Sequence, residues 1–308
     1  MNIFLQGSIA FDEVSKFYGK FSDVIKPDLI HKLSVSFVVF EKEKFFGGCA
    51  GNIAYSMGLL KTKAYVCSPV GEDGDEYIKS MKNWGLDTEY VQKMKGHTAL
   101  AFITTDSDQN QIAHFAPGVL ATSEEFVLPE IAEKGDIILI SPENHDRMIQ
   151  AIHLSHEKQL RVFFDPGQLI HSFNKVELID IFGKIDGLFV NEYEWELLKN
   201  ISGMNKKEIV NLVKVIFITK GAEGVELIED GISSQIEPYK IETAIDPTGA
   251  GDAFRAGVLS ALKQNLYYKT AAKVGSIMGA LSVEHKQCQG HKITPDAKQQ
   301  LETLGFSL

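Results

Sequence analysis

Asp246-Pro247-Thr248-Gly249-Ala250-Gly251-Asp252-Ala253-Phe254-Arg255-Ala256-Gly257 is the stretch that decides how this chain reads. Residues 241–245 ahead of it read as a strand end, and residues 253–262 read as an apolar, alanine-rich helix suited to packing on a sheet. Gly249 to Gly251 then stand at a helix N-terminus. Unpaired backbone N–H groups and the positive end of the helix dipole attract an anion there, and glycines let the backbone approach a phosphate closely. Asp252 falls in the first turn, beside that anion. A carboxylate repels a phosphate unless a metal intervenes, but it can take the proton of a hydroxyl that attacks the phosphate. The same string also suits an ordinary strand-to-helix turn in which Asp252 complements the dipole, an effect of about 0.3–1 kcal/mol. It is not a dinucleotide fingerprint, because Phe254 occupies the third glycine position of G-x-G-x-x-G. The chemistry these residues suggest is phosphoryl transfer to an alcohol.

Composition narrows the context. The chain has 308 residues, 44% of them hydrophobic, enough for a large core and for one α/β unit with an inserted subdomain. A net charge of −10 argues against nucleic acid or an anionic membrane surface as the main partner. A nucleotide would have to be held by local backbone donors and metal ions. Cys49, Cys67 and Cys288 are odd in number and form no C-x-x-C pair, so neither a disulfide framework nor a cysteine zinc site is indicated, and a reducing cytoplasm is the expected home. The chain begins on an apolar run at residues 3–5 with no basic region before it, and nowhere reaches the roughly 18 apolar residues of a spanning helix. A soluble, unprocessed protein is expected.

Along the chain, strands alternate with helices. Short apolar runs at 3–5, 64–67, 137–140, 162–164, 188–190 and 215–218 read as buried strands, and 52–60, 75–84, 146–157, 192–198 and 207–213 as helices. This is the pattern of a mostly parallel sheet covered on both faces. Residues 35–40, and 98–103 with 111–115, read as strands with no helix between them, as in an antiparallel lid. No repeat, low-complexity tract or linker interrupts the chain.

As a whole, the string from Asp246 to Gly257 resembles the C-terminal signature of the ribokinase family of sugar and nucleoside kinases, also called the PfkB family. The resemblance implies an α/β fold, a ribokinase-like three-layer α/β/α arrangement with a mostly parallel central sheet and a small β-sheet lid. It also implies a single kinase domain over 1–308, with the lid drawn from about 12–46 and 95–118. A second string, Gly47-Gly48-Cys49-Ala50-Gly51-Asn52-Ile53-Ala54, is similar to the family's N-terminal signature, although paired glycines before a helix also serve close backbone packing. On the resemblance, Gly48 and Asn52 face the acceptor. Asp12, in the run Gly7-Ser8-Ile9-Ala10-Phe11-Asp12 with Ser8, matches an acid that accepts two vicinal hydroxyls, a task suited to two acceptor oxygens. Asn191 and Glu194 resemble the family's N-x-x-E motif for water-mediated magnesium and phosphate binding. Mg²⁺ keeps several waters and takes few carboxylates; outside the family, Glu194 reads as a helix-surface charge. Thr219, Gly221 and Gly224 resemble the T-x-G-x-x-G turn beside the ATP phosphates and ribose, or else form a plain connecting turn. No G-x-x-x-x-G-K-[ST] string occurs, so the phosphate role falls to Gly249, Ala250 and Gly251.

The runs Gly19 to Ser22, His31 to Phe37 and Asn191 to Leu198 resemble a narrower group, the bacterial adenosine kinases of the ribokinase fold. That resemblance implies transfer of the ATP γ-phosphate to the 5′-hydroxyl of adenosine, with Asp252 as general base and Mg²⁺ on the phosphates. Asp246 and Thr248 match positions that hold a monovalent cation such as K⁺ in many relatives. Phe102 and Phe115 match lid aromatics that stack on the purine, at about 1–3 kcal/mol per stacked base, or else form lid core. Ser36 matches a strand used in a homodimer through the lid. Gln168 matches an acceptor-site glutamine, though Leu169 follows where the group has a second glutamine. Arg255 reads either as an ion-pair partner of Asp252 or as a surface charge. Another nucleoside or a free sugar such as ribose or fructose is the alternative acceptor, and a non-catalytic nucleotide-binding protein on this fold is the alternative class. His153 and His156 stand in an H-x-x-H spacing without the carboxylate or thiol cluster a metal site needs.

Overall fold

The computed structural model describes residues 1–26, 32, 34–122 and 125–308. Its strands, in chain order, are β1 (Ile3–Gln6), β2 (Ala10–Lys16), β3 (Glu41–Gly47), β4 (Tyr65–Val66), β5 (Pro69–Val70), β6 (Gln92–Lys93), β7 (Ala99–Thr105) and β8 (Gln111–Ala116). The second half supplies β9 (Ile137–Ile140), β10 (Arg161–Phe164), β11 (Gly187–Asn191), β12 (Val215–Thr219), β13 (Val225–Glu229) and β14 (Ile232–Ile236). The main sheet runs β14-β13-β12-β11-β10-β9-β1-β4. It is parallel from β4 to β12, with β13 and β14 added as an antiparallel hairpin at one edge.

Successive strand residues point to opposite faces, and here both faces are apolar, as a sheet covered on both sides demands. Ile3, Leu5, Leu139, Phe163, Phe189 and Phe217 enter one core, closed by the helices Cys49–Leu59, Ala250–Lys263 and Tyr268–Val283. Phe4, Ile138, Ile140, Phe164, Leu188 and Ile216 enter the other, under the helices His145–Glu157, Lys175–Phe182 and Glu192–Ser202. The expected strands of the main sheet and the helices between them are present, with ends displaced by a few residues; the helix expected at 207–213 is Lys206–Val210.

Two expectations need correction. Residues 241–245 are not a strand: the N–H groups of Ile245 and Asp246 donate instead to the carbonyl of Val283, at 2.8 and 3.1 Å, at the end of a helix. Residues 35–40 are not a strand either, and Val38 and Phe40 are 66% and 77% exposed. The strand lies one segment later, at β3, because pairing with β2 counts back from Gly47 opposite Ala10 to Glu41 opposite Lys16. Its charged half is exposed on the sheet edge. A separate small sheet, β3-β2-β7-β8, results. It is mixed rather than antiparallel throughout, since β2 and β7 run parallel.

Candidate functional site

The carboxyl ends of the parallel strands gather the residues singled out above. Ser8 follows β1, Asp165 follows β10, and Asn191 and Thr219 end β11 and β12. In open α/β sheets this edge is where ligands bind.

Gly249 caps the helix Ala250–Lys263 with φ 81° and ψ −4°, a left-handed conformation that costs a side chain dearly. A Cβ there would also lie 2.8 Å from the Cβ of Cys288. The turn is tied down by Thr248 N–H donating to Asp246 Oδ1 at 2.9 Å and Ala250 N–H donating to the Pro247 carbonyl at 3.2 Å. Asp252, the third helical residue, accepts a 2.8 Å hydrogen bond at Oδ2 from Nδ2 of Asn52. Asn52 is buried on the helix Cys49–Leu59. The two sequence motifs therefore meet through their polar side chains.

Burial, reinforced by the charge of Asp165, pushes the Asp252 carboxyl up to about 7, against the opposing pull of Arg255 and the Asn52 hydrogen bond. A carboxyl so placed exchanges its proton near neutral pH, where a general base is most effective.

Arg255 is not a surface charge, nor is its hydrogen bonding directed at Asp252. It is 8% exposed and clamps Asp165 in a two-point pair, Nη2 to Oδ1 at 2.8 Å and Nε to Oδ2 at 2.5 Å. Its charge still acts on Asp252, one turn away. Sequence reading did not single out Asp165, although an acid just past the carboxyl end of a parallel strand was a usable signal.

On the acceptor side, Gly48 has φ 81°, and a Cβ would come within 2.6 Å of the Ser8 carbonyl oxygen. Ser8 is engaged with the start of the Asn52 helix, its Oγ accepting from Cys49 N–H at 3.0 Å and its carbonyl from Ala50 N–H at 3.0 Å. Asp12 lies beside Gly47, where a Cβ would strike its carboxylate, and burial pushes it up to about 6. Cross-strand register puts Phe45, Asp12, Ala101 and Phe115 in one row on one face of the small sheet. Phe102 belongs to the neighbouring row, on the opposite face, and stacks on His114 at 4.7 Å. The structure thus separates the two phenylalanines expected to act together.

Asn191 and Glu194 form a reciprocal capping box on the helix Glu192–Ser202, with both hydrogen bonds at 2.8 Å, so their spacing has a structural use of its own. Burial raises the Glu194 carboxyl, with Asp165 adding to the rise and Arg255 opposing it, which places it in the electrostatic surroundings of the ion pair. Thr219 Oγ1 reaches the Val190 carbonyl at 3.4 Å, and Gly221 and Gly224 bound the short turn after β12 with φ 53° and 87°. Gln168, on the turn after Asp165, and Ser36 are exposed and make no hydrogen bond to Asp252, Asn52 or Asp12. His31 and Leu33, within the resemblance around Ser36, lie outside the described residues.

Sequence reading also missed Gln289 and Tyr77. Gln289 Nε2 donates to Asn52 Oδ1 at 3.0 Å and to the Tyr77 hydroxyl at 2.7 Å, and Tyr77 donates to the Gly47 carbonyl at 2.7 Å. Gln289 lies in an irregular segment that shows no periodicity, and nothing in its neighbours signals the contact. Among the described residues no three His, Cys, Asp or Glu side chains cluster as a metal cage would require. His153 and His156 are held by Asp180, at 2.8 Å, and by the Lys184 carbonyl, at 3.1 Å. Among the described residues no helix is long and apolar enough to cross a membrane.

Comparison with known proteins gives the same picture. Residues 17–295 match the family profile described as pfkB family carbohydrate kinase. The solved nucleoside kinase of Burkholderia thailandensis, in complex with inosine, is 31% identical and superposes with a TM-score of 0.82 over 98% of this chain and 97% of that one. The nucleoside kinase of Methanocaldococcus jannaschii is 29% identical over 82% of this chain and 84% of its own. A ribokinase of Haemophilus influenzae is 28% identical over 84% and 87%. The chain belongs to the pfkB family of carbohydrate kinases, ribokinase-like phosphotransferases that act on a hydroxyl group.

Proposed function

We propose that the chain transfers the γ-phosphate of ATP to the 5′-hydroxyl of a nucleoside, adenosine first, with Asp252 as the general base. The observation that carries this is the placement of Asp252: third in a helix that opens on a glycine turn, hydrogen-bonded to Asn52 of the other motif, and poised near pH 7. Asp252 takes the proton as the acceptor oxygen attacks phosphorus, while the N–H groups of Gly249, Ala250 and Gly251 stabilise the charge on the transferred phosphoryl. The Ala250 N–H exchanges its long bond to Pro247 for the anion. Thr219, Gly221 and Gly224 border the donor on the strand side.

A divalent ion held mainly by phosphate oxygens needs few protein ligands. Glu194, a single partly buried carboxylate already oriented by Asn191, fits contact through water. When bound there, Mg²⁺ neutralises charge on the phosphates. The Asp246 to Thr248 loop, next to the glycine turn, is the seat we assign to K⁺.

Nucleosides are favoured over free sugars by the row on the small sheet. Asp12 suits the ribose hydroxyls, and Phe115, 52% exposed, stands two strands away in the same row, roughly 10 Å from it at the usual strand spacing. That is a fitting reach for a purine attached to the ribose. Gln168 is retained as an outer contact to the acceptor. ADP release with MgATP and adenosine, inosine, guanosine, cytidine, ribose and fructose tests the reading. Adenosine should turn over best. Phe115→Ala should raise the KM for adenosine by about fivefold to about 150-fold, given about 1–3 kcal/mol per stacked base, and leave ribose unchanged; Phe102→Ala should alter neither. Turnover of a free sugar alone would remove the nucleoside assignment.

The small sheet also suits a homodimer. All six residues of β8 are exposed, and Ser36 lies beside the exposed Val38 and Phe40. Sedimentation should give twice 34.2 kDa; a single-chain mass would dismiss the dimer.

A further inference from the structure

We propose that Gln289, anchored by Tyr77, is a positioning residue that holds the Asn52 amide with its Nδ2 toward Asp252 and so fixes the carboxylate for proton transfer. This rests on the reading of Asp252 as the base.

The polarity of each link follows from its ends. The Gly47 carbonyl can only accept, so the Tyr77 hydroxyl donates to it and has its lone pairs left for Gln289. At the other end, an ionised Asp252 can only accept, so Asn52 must present Nδ2 to it and turn Oδ1 away. Oδ1 and the Tyr77 oxygen are then two acceptors facing one group, and only the amide nitrogen of Gln289 satisfies both. Reversing Gln289 would set its carbonyl against two acceptors. The orientation is kept even though Gln289 Oε1 is buried and has no partner among the described residues, a state that ordinarily costs free energy. With Gln289 removed, Asn52 Oδ1 loses its donor and the amide is held only by its bond to Asp252, so it is less firmly fixed against the carboxylate.

Asp252 is also faced by Arg255 of its own helix, Asp165 after β10, Cys49 at the start of the Asn52 helix and Cys288 next to Gln289. Asp12 bears on Cys288 and Tyr77 from the small sheet. Among the neighbours of Asp252, Asn52 supplies the hydrogen bond that favours the ionised form, so its loss has a definite sign: the base titrates higher.

The test is the pH dependence of kcat/KM for wild type, Gln289→Leu, Tyr77→Phe and the double variant, on whichever acceptor turns over. Asp252→Asn and melting temperatures serve as controls. Gln289→Leu should move the acid limb up by about one pH unit, the scale of a lost hydrogen bond to a charged group, and lower kcat at pH 7 more than it raises KM. Tyr77→Phe, which removes one hydroxyl and carries the test by itself if Gln289→Leu does not fold, should shift the limb the same way by less. The double variant should be no worse than Gln289→Leu, because the two act as a unit. Limbs that superimpose on wild type, or independent additive losses, would overturn the positioning role while an inactive Asp252→Asn left the base assignment standing. A fully active Asp252→Asn would overturn both.

Discussion

Replacing Asp252 by asparagine lowers kcat by about 10²–10⁴-fold, the scale of a positioned general base, while ATP and nucleoside binding measured by calorimetry stay close to wild type. The asparagine keeps the shape of the carboxylate and keeps an oxygen to accept from Asn52 Nδ2, so the link between the two motifs survives. What it loses is the capacity to take a proton. The variant should not lose stability. Because the folded-state pKa of Asp252 is raised from 3.8 to about 7, its contribution to stability is fully present below about pH 3.8 and is lost as pH rises through 7. A neutral amide removes that loss, so melting temperatures of the variant relative to wild type should be more favourable at pH 8 than at pH 5. A kcat within tenfold of wild type would show that proton removal is not the task of Asp252.

How far this was legible in the sequence depended on whether a signal was local. The glycine turn, Asp252 and the apolar strands carry their reading in contiguous residues: Ile137 to Ile140 or Val215 to Ile218 can hardly be anything but strands buried on both faces. Asn52 was readable through its motif, but its bond to a residue 200 positions away was not. Arg255 was misread because the acid that draws it inside, Asp165, lies 90 residues earlier. The false strand at 35–40 shows the opposite failure. Its apolar, β-branched and aromatic run is real, but pairing is set by where β2 ends and Gly47 turns, and the polar run at Glu41 to Lys44 won the register. Phe102 and Phe115 illustrate the same point at finer scale. Their separation in sequence crosses a hairpin, and only the register Ala101 opposite Phe115 shows which of them shares a face with Asp12.

The ion pair between Arg255 and Asp165 separates stability from proton affinity, and its variants should show both. Arg255→Met leaves a buried, unpaired carboxylate and should destabilise the fold by about 3–5 kcal/mol in denaturant melts; Asp165→Leu leaves a buried guanidinium and should cost a similar amount. The double variant places two apolar side chains together and should recover most of the loss, since a buried pair often stabilises no more than a well-packed apolar one. The pH profile follows different arithmetic. In wild type, kcat/KM should fall below about pH 7 as Asp252 is protonated. Arg255 holds that pKa down and Asp165 holds it up, the former more strongly. The acid limb should therefore move to higher pH in Arg255→Met, to lower pH in Asp165→Leu, and in the double variant remain above wild type even though stability has returned. A double variant with wild-type stability and a wild-type limb would mean that the pair only packs the sheet edge. A limb that follows Arg255 regardless of stability would mean that the pair tunes the base, and would explain why two charges are buried under a helix that an apolar pair could have held.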